Sequence, residues 1–579
     1  MDHHAGPGAD PAAATPAAPP APRGAPLPAP ETALMITERE IGGIPALLAP
    51  ATGPMHAGLV FRVGHADEPL AKRGITHLIE HLALFSFGVA DYHYNGATGV
   101  EYTYFHMQGA EADIVTFLNG VCAGLRELPM SRLPVEKEIL RTEENGRGES
   151  PAGPLGLWRH GARDYGMPAF PEWGLTGLTP DDLRDWVARW FTAENAALWI
   201  AGPGVPDGLD LRLPHGERRP APAPSNALPC RPAYFAGPEN VVAWNAAVPR
   251  QPAAAVLAGV LERALFRSLR QESGLSYTVQ ADFESRGDGA MVITAAADAL
   301  PEKQEAVLRG FVEVLEVARD GGFAPAEITA VVNQRCEDLA RAEEAGARLP
   351  AQVFNLLAGR RVRQLDEALA ELREVTPADV AVAGRLAVAD GLLMTPGRTT
   401  AEWAGYTAAP ECSTEAVTGA EYRLLDPERP GDRLIAGTHG ISLVGDASTV
   451  TVRYDGLAGV LSWPDGARRF IGHDGIQVHV EPTLVDGGPA LVAALDTGVR
   501  PEQRVTMAAR DPARIPHPPA PPAPPPRDPR RTERIWRLSF AAVGLIGLVT
   551  LRLLAPPVAA AFFAIALIVV FAVYRILGR

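Results

Sequence analysis

Residues 74–85 read GITHLIEHLALF, and the fold of the chain turns on how this stretch is read. As a helix it gathers His77, Glu80 and His81 into one narrow arc, because spacings of three and four return to the same face. Ile75, Leu78, Ile79, Leu82 and Phe85 supply its apolar remainder. Two imidazoles one turn apart can hold one Zn2+, and a carboxylate beside them can take a proton from a metal-activated water. The order H-x-x-E-H inverts the commoner H-E-x-x-H zinc motif. Two partly buried histidines beside a solvated glutamate would be the plain structural alternative, so a third ligand has to be sought elsewhere.

Residues 133–145, LPVEKEILRTEEN, predict a second helix, with Pro134 in its first turn and Gly146 at its C-terminal cap. Glu136, Leu140 and Glu143 share a face. A solvated face also tolerates two glutamates. Here, however, one carboxylate lies on the stripe that carries Leu140, and an inward negative charge needs a cation. Glu143 is therefore the expected third zinc ligand, with Glu144 as the alternative. Glu136 is expected to hydrogen-bond and orient a ligand.

The chain has 579 residues, enough for several domains. Its net charge of −15 argues against a general nucleic-acid binder. Cys122, Cys230, Cys336 and Cys412 are far apart, form no C-x-x-C, and read as thiols in a reducing compartment. Residues 1–32 are an Ala/Pro-rich arm without a signal-peptide pattern and are expected to be disordered.

Residues 41–48, 57–63, 102–106 and 196–201 read as strands, residues 110–128 as a helix, and Thr179-Pro180-Asp181-Asp182 as a helix start. After a Pro-rich spacer at 206–237 the pattern recurs. Residues 241–248 read as a strand, and Val256, Leu257, Val260, Leu261, Leu265, Phe266 and Leu269 form a helical stripe. Thr376-Pro377-Ala378-Asp379 echoes the earlier Thr-Pro-x-Asp. Residues 33–205 and 238–400 thus read as two copies of one α+β half, only the first with the histidines.

These residues resemble the pitrilysin/insulinase-like (M16) zinc peptidases. GITHLIEHLALF resembles their zinc helix and VEKEILRTEE the segment of their third ligand. Asn95-Gly96-Ala97-Thr98 is similar to their substrate-binding strand, which implies substrate contacts at Asn95 and Ala97. LRQESGLSYTV at 269–279 resembles their Arg/Tyr segment, which implies that Arg270 and Tyr277 reach from the zinc-free half to the substrate carbonyl. The separation of His81 and Glu143 is shorter than in the family, a departure located near residues 88–95 that leaves Glu143 and Glu144 both open as ligand.

After a linker at 401–432, residues 433–507 carry short β-type runs between Gly/Asp turns, expected to form a small antiparallel barrel or sandwich. A Pro/Arg-rich linker at 508–534 leads into residues 535–579, whose two apolar runs are expected to form a transmembrane hairpin, the first run being short for a span. The flanking arginines favour a cytoplasmic peptidase at the cell membrane. The expectation is an α+β zinc metalloendopeptidase acting on peptides or unfolded segments, alone or as a homodimer. The alternative is an inert scaffold or peptide-binding protein of the same fold at the membrane.

Overall fold

The computed structural model describes residues 35–518 apart from 52, 88–92, 147 and 149, together with scattered positions between 533 and 572. The expected disordered arm and most of the expected membrane hairpin lie outside the described residues. Among the described residues no helix is long and apolar enough to cross a membrane. Residues 1–516 form one unit and residues 517–579 another.

The first half runs β1 (Thr37–Ile41), β2 (Ile44–Ala49), β3 (Met55–Phe61), α1 (Ile75–Leu84), β4 (His93–Thr98), β5 (Thr103–Gly109), α2 (Glu111–Arg126), α3 (Leu133–Gly146), α4 (Ala152–His160), α5 (Pro180–Trp190) and β6 (Ala196–Ala201). Its sheet has the order β1-β2-β6-β3-β5-β4, parallel only at β2–β6. β6 is apolar and buried at every residue, as a strand covered on both faces must be. Leu78, Ile79 and Leu82 of α1 join Phe117 of α2 and Leu183 of α5 in the core on this sheet.

The second half runs β7 (Ala233–Gly237), β8 (Val241–Pro249), α6 (Pro252–Leu265), β9 (Val279–Ser285), β10 (Ala290–Asp298), α7 (Gln304–Asp320), α8 (Pro325–Glu344), α9 (Leu349–Leu357), α10 (Leu365–Arg373), α11 (Pro377–Asp390), β11 (Leu392–Pro396) and β12 (Thr407–Ala408). Its sheet order, β12-β7-β11-β8-β10-β9, repeats the first, with its parallel pair β7–β11 where the first has β2–β6. The two Thr-Pro-x-Asp stretches are one device used twice. The Thr179 and Thr376 hydroxyls accept from the N–H groups of Asp182 and Asp379, each at 3.2 Å, and both threonine N–H groups donate back.

The expected linkers contain more structure than composition alone shows. β7 lies within the spacer 206–237, and Ser225 and Ala227 of that spacer bond to His160 and Arg159. Within 401–432, β12 extends the second sheet in parallel to β7, occupying the place that β1 holds in the first half. The third domain also begins in that stretch, with β13 (Ala420–Arg423). It continues through β14 (Arg433–Gly437), β15 (Gly440–Val444), β16 (Thr449–Arg453), β17 (Leu457–Ser462), β18 (Arg468–Gly472), β19 (Gln477–Val480), α12 (Gly488–Asp496) and β20 (Arg504–Thr506). Two four-stranded sheets, β13-β14-β15-β16 and β19-β18-β17-β20, share a core with α12. The arrangement is not wholly antiparallel, because β20 returns parallel to β17 after the helix.

A buried charge joins the halves. Arg159 of α4, 3% exposed, donates to the Asp390 carboxylate at 2.7 Å, to the Asn245 carbonyl at 3.0 Å and to Asn245 Oδ1 at 2.9 Å. Without Arg159 the Asn245 acceptors lose their donor, while Arg231 and the Ala247 N–H still hold Asp390. Arg159→Ala is expected to cost about 1–3 kcal/mol of stability, read by urea denaturation, with partial recovery in Arg159→Lys.

Candidate functional site

The entry to α1 is built before the site itself. Gly74 adopts a left-handed φ of +96°, which sends the chain sharply into the helix. The carboxylate of Glu68 accepts from the N–H groups of Gly74 (3.1 Å) and Thr76 (2.9 Å) and from Arg73 Nη1 (2.7 Å). It thus satisfies helix-terminal donors that no capping side chain at Gly74 could reach. Burial alone would raise the Glu68 carboxyl, but Arg73, His65 and the Thr76 N–H outweigh it and hold it at about 2.

On the helix so fixed, His77 and His81 stand edge to face with ring centroids 4.8 Å apart. Glu143 of α3 points between them, its Oε2 lying 3.8 Å from His77 Nε2 and 3.7 Å from His81 Nε2. The other ring nitrogens are turned to carboxylates. His77 Nδ1 donates to Glu172 Oε1 at 3.0 Å, and His81 Nδ1 lies 3.5 Å from Glu136 Oε2. A carboxylate at Nδ1 fixes the tautomer that places the lone pair on Nε2. Ligand atoms of His77, His81 and Glu143 all lie within 4.8 Å of one another. Tetrahedral zinc with bonds near 2.0–2.1 Å would set ligand atoms roughly 3.3 Å apart, so these side chains would have to draw inward to hold it.

Glu143 thus stands between the histidines and Glu136 behind His81, but their burial is the reverse of the expectation. The inward carboxylate is that of Glu136, 5% exposed, and its cation is Arg132 at 2.9 Å. The Glu143 side chain is 45% exposed, at the surface rather than in the core. Glu144 turns away, accepting the N–H of Glu172 at 2.8 Å.

Glu80 is buried beside the cluster, and Thr98 of β4 donates to its Oε2 at 2.8 Å. Burial raises its carboxyl, opposed by His77, the Thr98 hydroxyl and His81. β4 ends the first sheet and carries Asn95 and Ala97, exposed and half-buried. A Cβ on Gly96 between them would come within 2.7 Å of Glu80 Oε1, so a glycine there lets the strand lie against the carboxylate.

Arg270 and Tyr277 are brought together, with the guanidinium 4.6 Å above the Tyr277 ring and 5.0 Å above that of Phe266. Arg270 lies in a π-helical turn, Phe266–Glu272, a rare distortion frequent at functional sites. Tyr277 is 73% exposed, with its N–H held by Asp298 at 2.9 Å. These contacts lie within the second half and do not place the pair on the histidines. The sequence did not reveal Glu172 or the contact of Thr98 with Glu80. Thr98 stood inside a motif already singled out, whereas nothing in the local pattern marks Glu172.

Two measurements test this geometry. Glu143→Gln should weaken zinc binding by more than a hundredfold in a metal titration, and Glu144→Gln by less than tenfold. Glu68, depressed from 4.5 to about 2, gives stability that is complete above pH 4.5 and lost as the pH falls toward 2, because the unfolded state then binds the proton more readily. Glu68→Gln should flatten that part of the acid-denaturation profile.

Residues 234–335, in the second half, match the family described as the peptidase M16 inactive domain. No curated protein matches the chain. Among solved structures, a protease from Helicobacter pylori is similar over 63% of this chain and 100% of its own, with a TM-score of 0.54 and 16% identity. A chain of Complex III2 from Candida albicans is similar over 62% and 95%, with a TM-score of 0.54 and 14% identity. A peptidase M16 inactive domain from Pseudomonas fluorescens is similar over 65% and 100%, with a TM-score of 0.50 and 15% identity. At these identities the likeness is one of fold. With the match of residues 234–335 to the peptidase M16 inactive domain, it shows an M16-like peptidase fold.

Proposed function

We propose that this protein is a zinc metalloendopeptidase that hydrolyses peptides or unfolded protein segments, tethered to a membrane by residues 535–579. The observation that carries the reading is the convergence of His77, His81 and Glu143, each histidine backed by a carboxylate, beside the buried carboxylate of Glu80. Zinc held by those three residues would polarise the scissile carbonyl and acidify the attacking water. Glu80 takes that water's proton as the C–O bond forms, and hands it to the amine as the C–N bond breaks. Thr98 keeps the Glu80 carboxylate aimed during both transfers. Asn95 and Ala97 present the edge of β4 to an extended peptide backbone. Arg270 and Tyr277 donate to the oxyanion that develops on the carbonyl oxygen.

A second reading, an inert scaffold or peptide-binding protein, is favoured by the inactive-domain match and by the similarity to a chain of Complex III2. That match falls on the half that lacks the histidines, whereas the ligand set lies in the other half. Peptide-library cleavage with Glu80→Gln separates the readings. The variant should bind zinc as wild type does and lose cleavage by about 10²- to 10⁴-fold, as loss of a general base does. A wild-type protein that binds zinc and cleaves nothing would establish the scaffold.

The membrane tether rests on the apolar runs of 535–579. Among the described residues there, Leu538, Leu545 and Ile568 are 71%, 68% and 68% exposed. All four cysteines are free, in keeping with a cytoplasmic site. The tether has to be cut beyond Pro516, because Arg510 pairs with Asp465 and Glu481 and the Pro516 carbonyl accepts from Thr483. Truncation after Pro518 should move the protein from the membrane to the soluble fraction with zinc binding intact. A truncated form that stays with the membrane would remove the anchor from residues 535–579.

A further inference from the structure

The third domain has no place in the chemistry described above, yet it packs against the segments that hold His77. Leu461, Ile471 and Val505, from β17, β18 and β20, form one apolar cluster with Leu70, Met167 and Phe170. Leu70 belongs to the turn before Gly74. Phe170 lies two residues before Glu172, whose side chain is 0% exposed. The fit between these segments is close. Arg73 Nε donates to the carbonyls of Met167 (3.2 Å) and Phe170 (3.1 Å). A Cβ on Gly74 would meet the Glu172 Cβ at 2.8 Å, and one on Gly174 would meet the Arg73 backbone at 2.7 Å. Glu172 is therefore a junction. Its carboxylate holds His77 on α1, its N–H is held by Glu144 on α3 next to Glu143, and its flanking residues rest on the β-rich domain.

We propose that residues 420–506 are a working part of the metal centre: packed through Leu461, Ile471 and Val505, the domain holds Glu172 against His77 and so sets the affinity for zinc, with Glu172 as the positioning residue. The inference rests on the zinc reading given above. It follows from elementary packing, since interiors are close-packed and a shift in the cluster passes to its neighbours rather than dissipating. Loss of an outer hydrogen bond to a ligating histidine typically weakens metal binding by about 10- to 100-fold. A domain that controls that bond controls affinity on the same scale. Linkage makes the effect reciprocal, so zinc must also stabilise the docking of the domain.

The test is a double-substitution cycle on the full chain, read as zinc affinity by competition with a chromogenic chelator. Leu461→Ala, which opens the apolar cluster without touching a ligand, should weaken zinc binding about tenfold, and Glu172→Ala by 10- to 100-fold. The two together should weaken it no more than Glu172→Ala alone, because the domain acts through that residue. Leu461→Met, which keeps the cluster filled, should bind zinc as wild type does. Gly459→Ala is the gentler probe should Leu461→Ala fail to fold, since its Cβ would press on Leu70 at 3.0 Å. Unchanged affinity in Leu461→Ala and Gly459→Ala would overturn the proposal. So would losses that simply add to that of Glu172→Ala, which would show a general structural effect. A wild-type chain that binds no zinc would overturn the zinc reading itself, and only that result touches both.

Discussion

Two histidines on successive turns of one helix can share a metal only if each ring is held with an unprotonated nitrogen turned toward it. That constraint governs the first half of this molecule. An imidazole free to flip offers either nitrogen, so each ring needs an acceptor at Nδ1. Here Glu172 serves His77 and Glu136 serves His81, and the two carboxylates come from two separate segments later in the chain. Glu136 comes from α3, the helix that also brings Glu143, and is held by Arg132. Glu172 comes from the turn beyond α4, and its position is secured by Glu144, Arg73 and the tight packing around Gly74. Much of the first half can be understood as the scaffolding needed to hold these two acceptors still.

The duplication shows what happens to the same architecture without that demand. α6 follows β8 as α1 follows β3, and the two sheets share one strand order apart from the edge strand, which is antiparallel in β1 and parallel in β12. Yet Val256, Leu257, Val260, Leu261 and Leu265 of α6 are all buried, with no polar arc among them. Relieved of ligands, that helix packs like any core helix. Its one irregularity is the π-helical turn at Phe266–Glu272. The wider turn reorients the segment leading to β9, so that Arg270 lies over Tyr277. The repeat thus keeps its fold and differs in which helix end carries polar groups.

What could be read in the sequence depends on how far each signal reaches along the chain. Helices α1 and α3 and the strands at 241–249 and 196–201 are set by local periodicity, and each stands close to where the pattern put it. The capping Thr-Pro-x-Asp pair was legible for the same reason, because the whole device spans four residues. Glu172 was not legible. It reaches His77 across 95 positions, and a single glutamate in Phe-Pro-Glu-Trp-Gly carries no spacing that points to a partner. β12 and α12 were missed because a two-residue strand and a short helix rich in Ala, Gly and Pro owe their form to the surfaces they meet. Burial could not be divided between Glu136 and Glu143 in advance. Periodicity places both on one face but does not say that Arg132 already neutralises the deeper one.

The shape of the site also limits what can enter it. β4 is the last strand of its sheet, so its outer edge can take another extended chain. Glu80 lies directly behind that strand, close enough that a Cβ at position 96 would come within 2.7 Å of its Oε1. A peptide paired along Asn95 and Ala97 would therefore cross the carboxylate that has to reach its scissile bond. The matching edge of the second sheet is β9, which begins two residues after Tyr277. The internal repeat thus gives each half a terminal strand next to its polar residues, β4 beside the histidines and Glu80 and β9 beside the exposed Tyr277 and its Arg270 partner. A substrate that engages an edge must give up its own secondary structure along that length, because one backbone cannot serve two ladders at once. On the proposed peptidase reading, a preference for extended or unfolded segments would follow from where the edge strands lie.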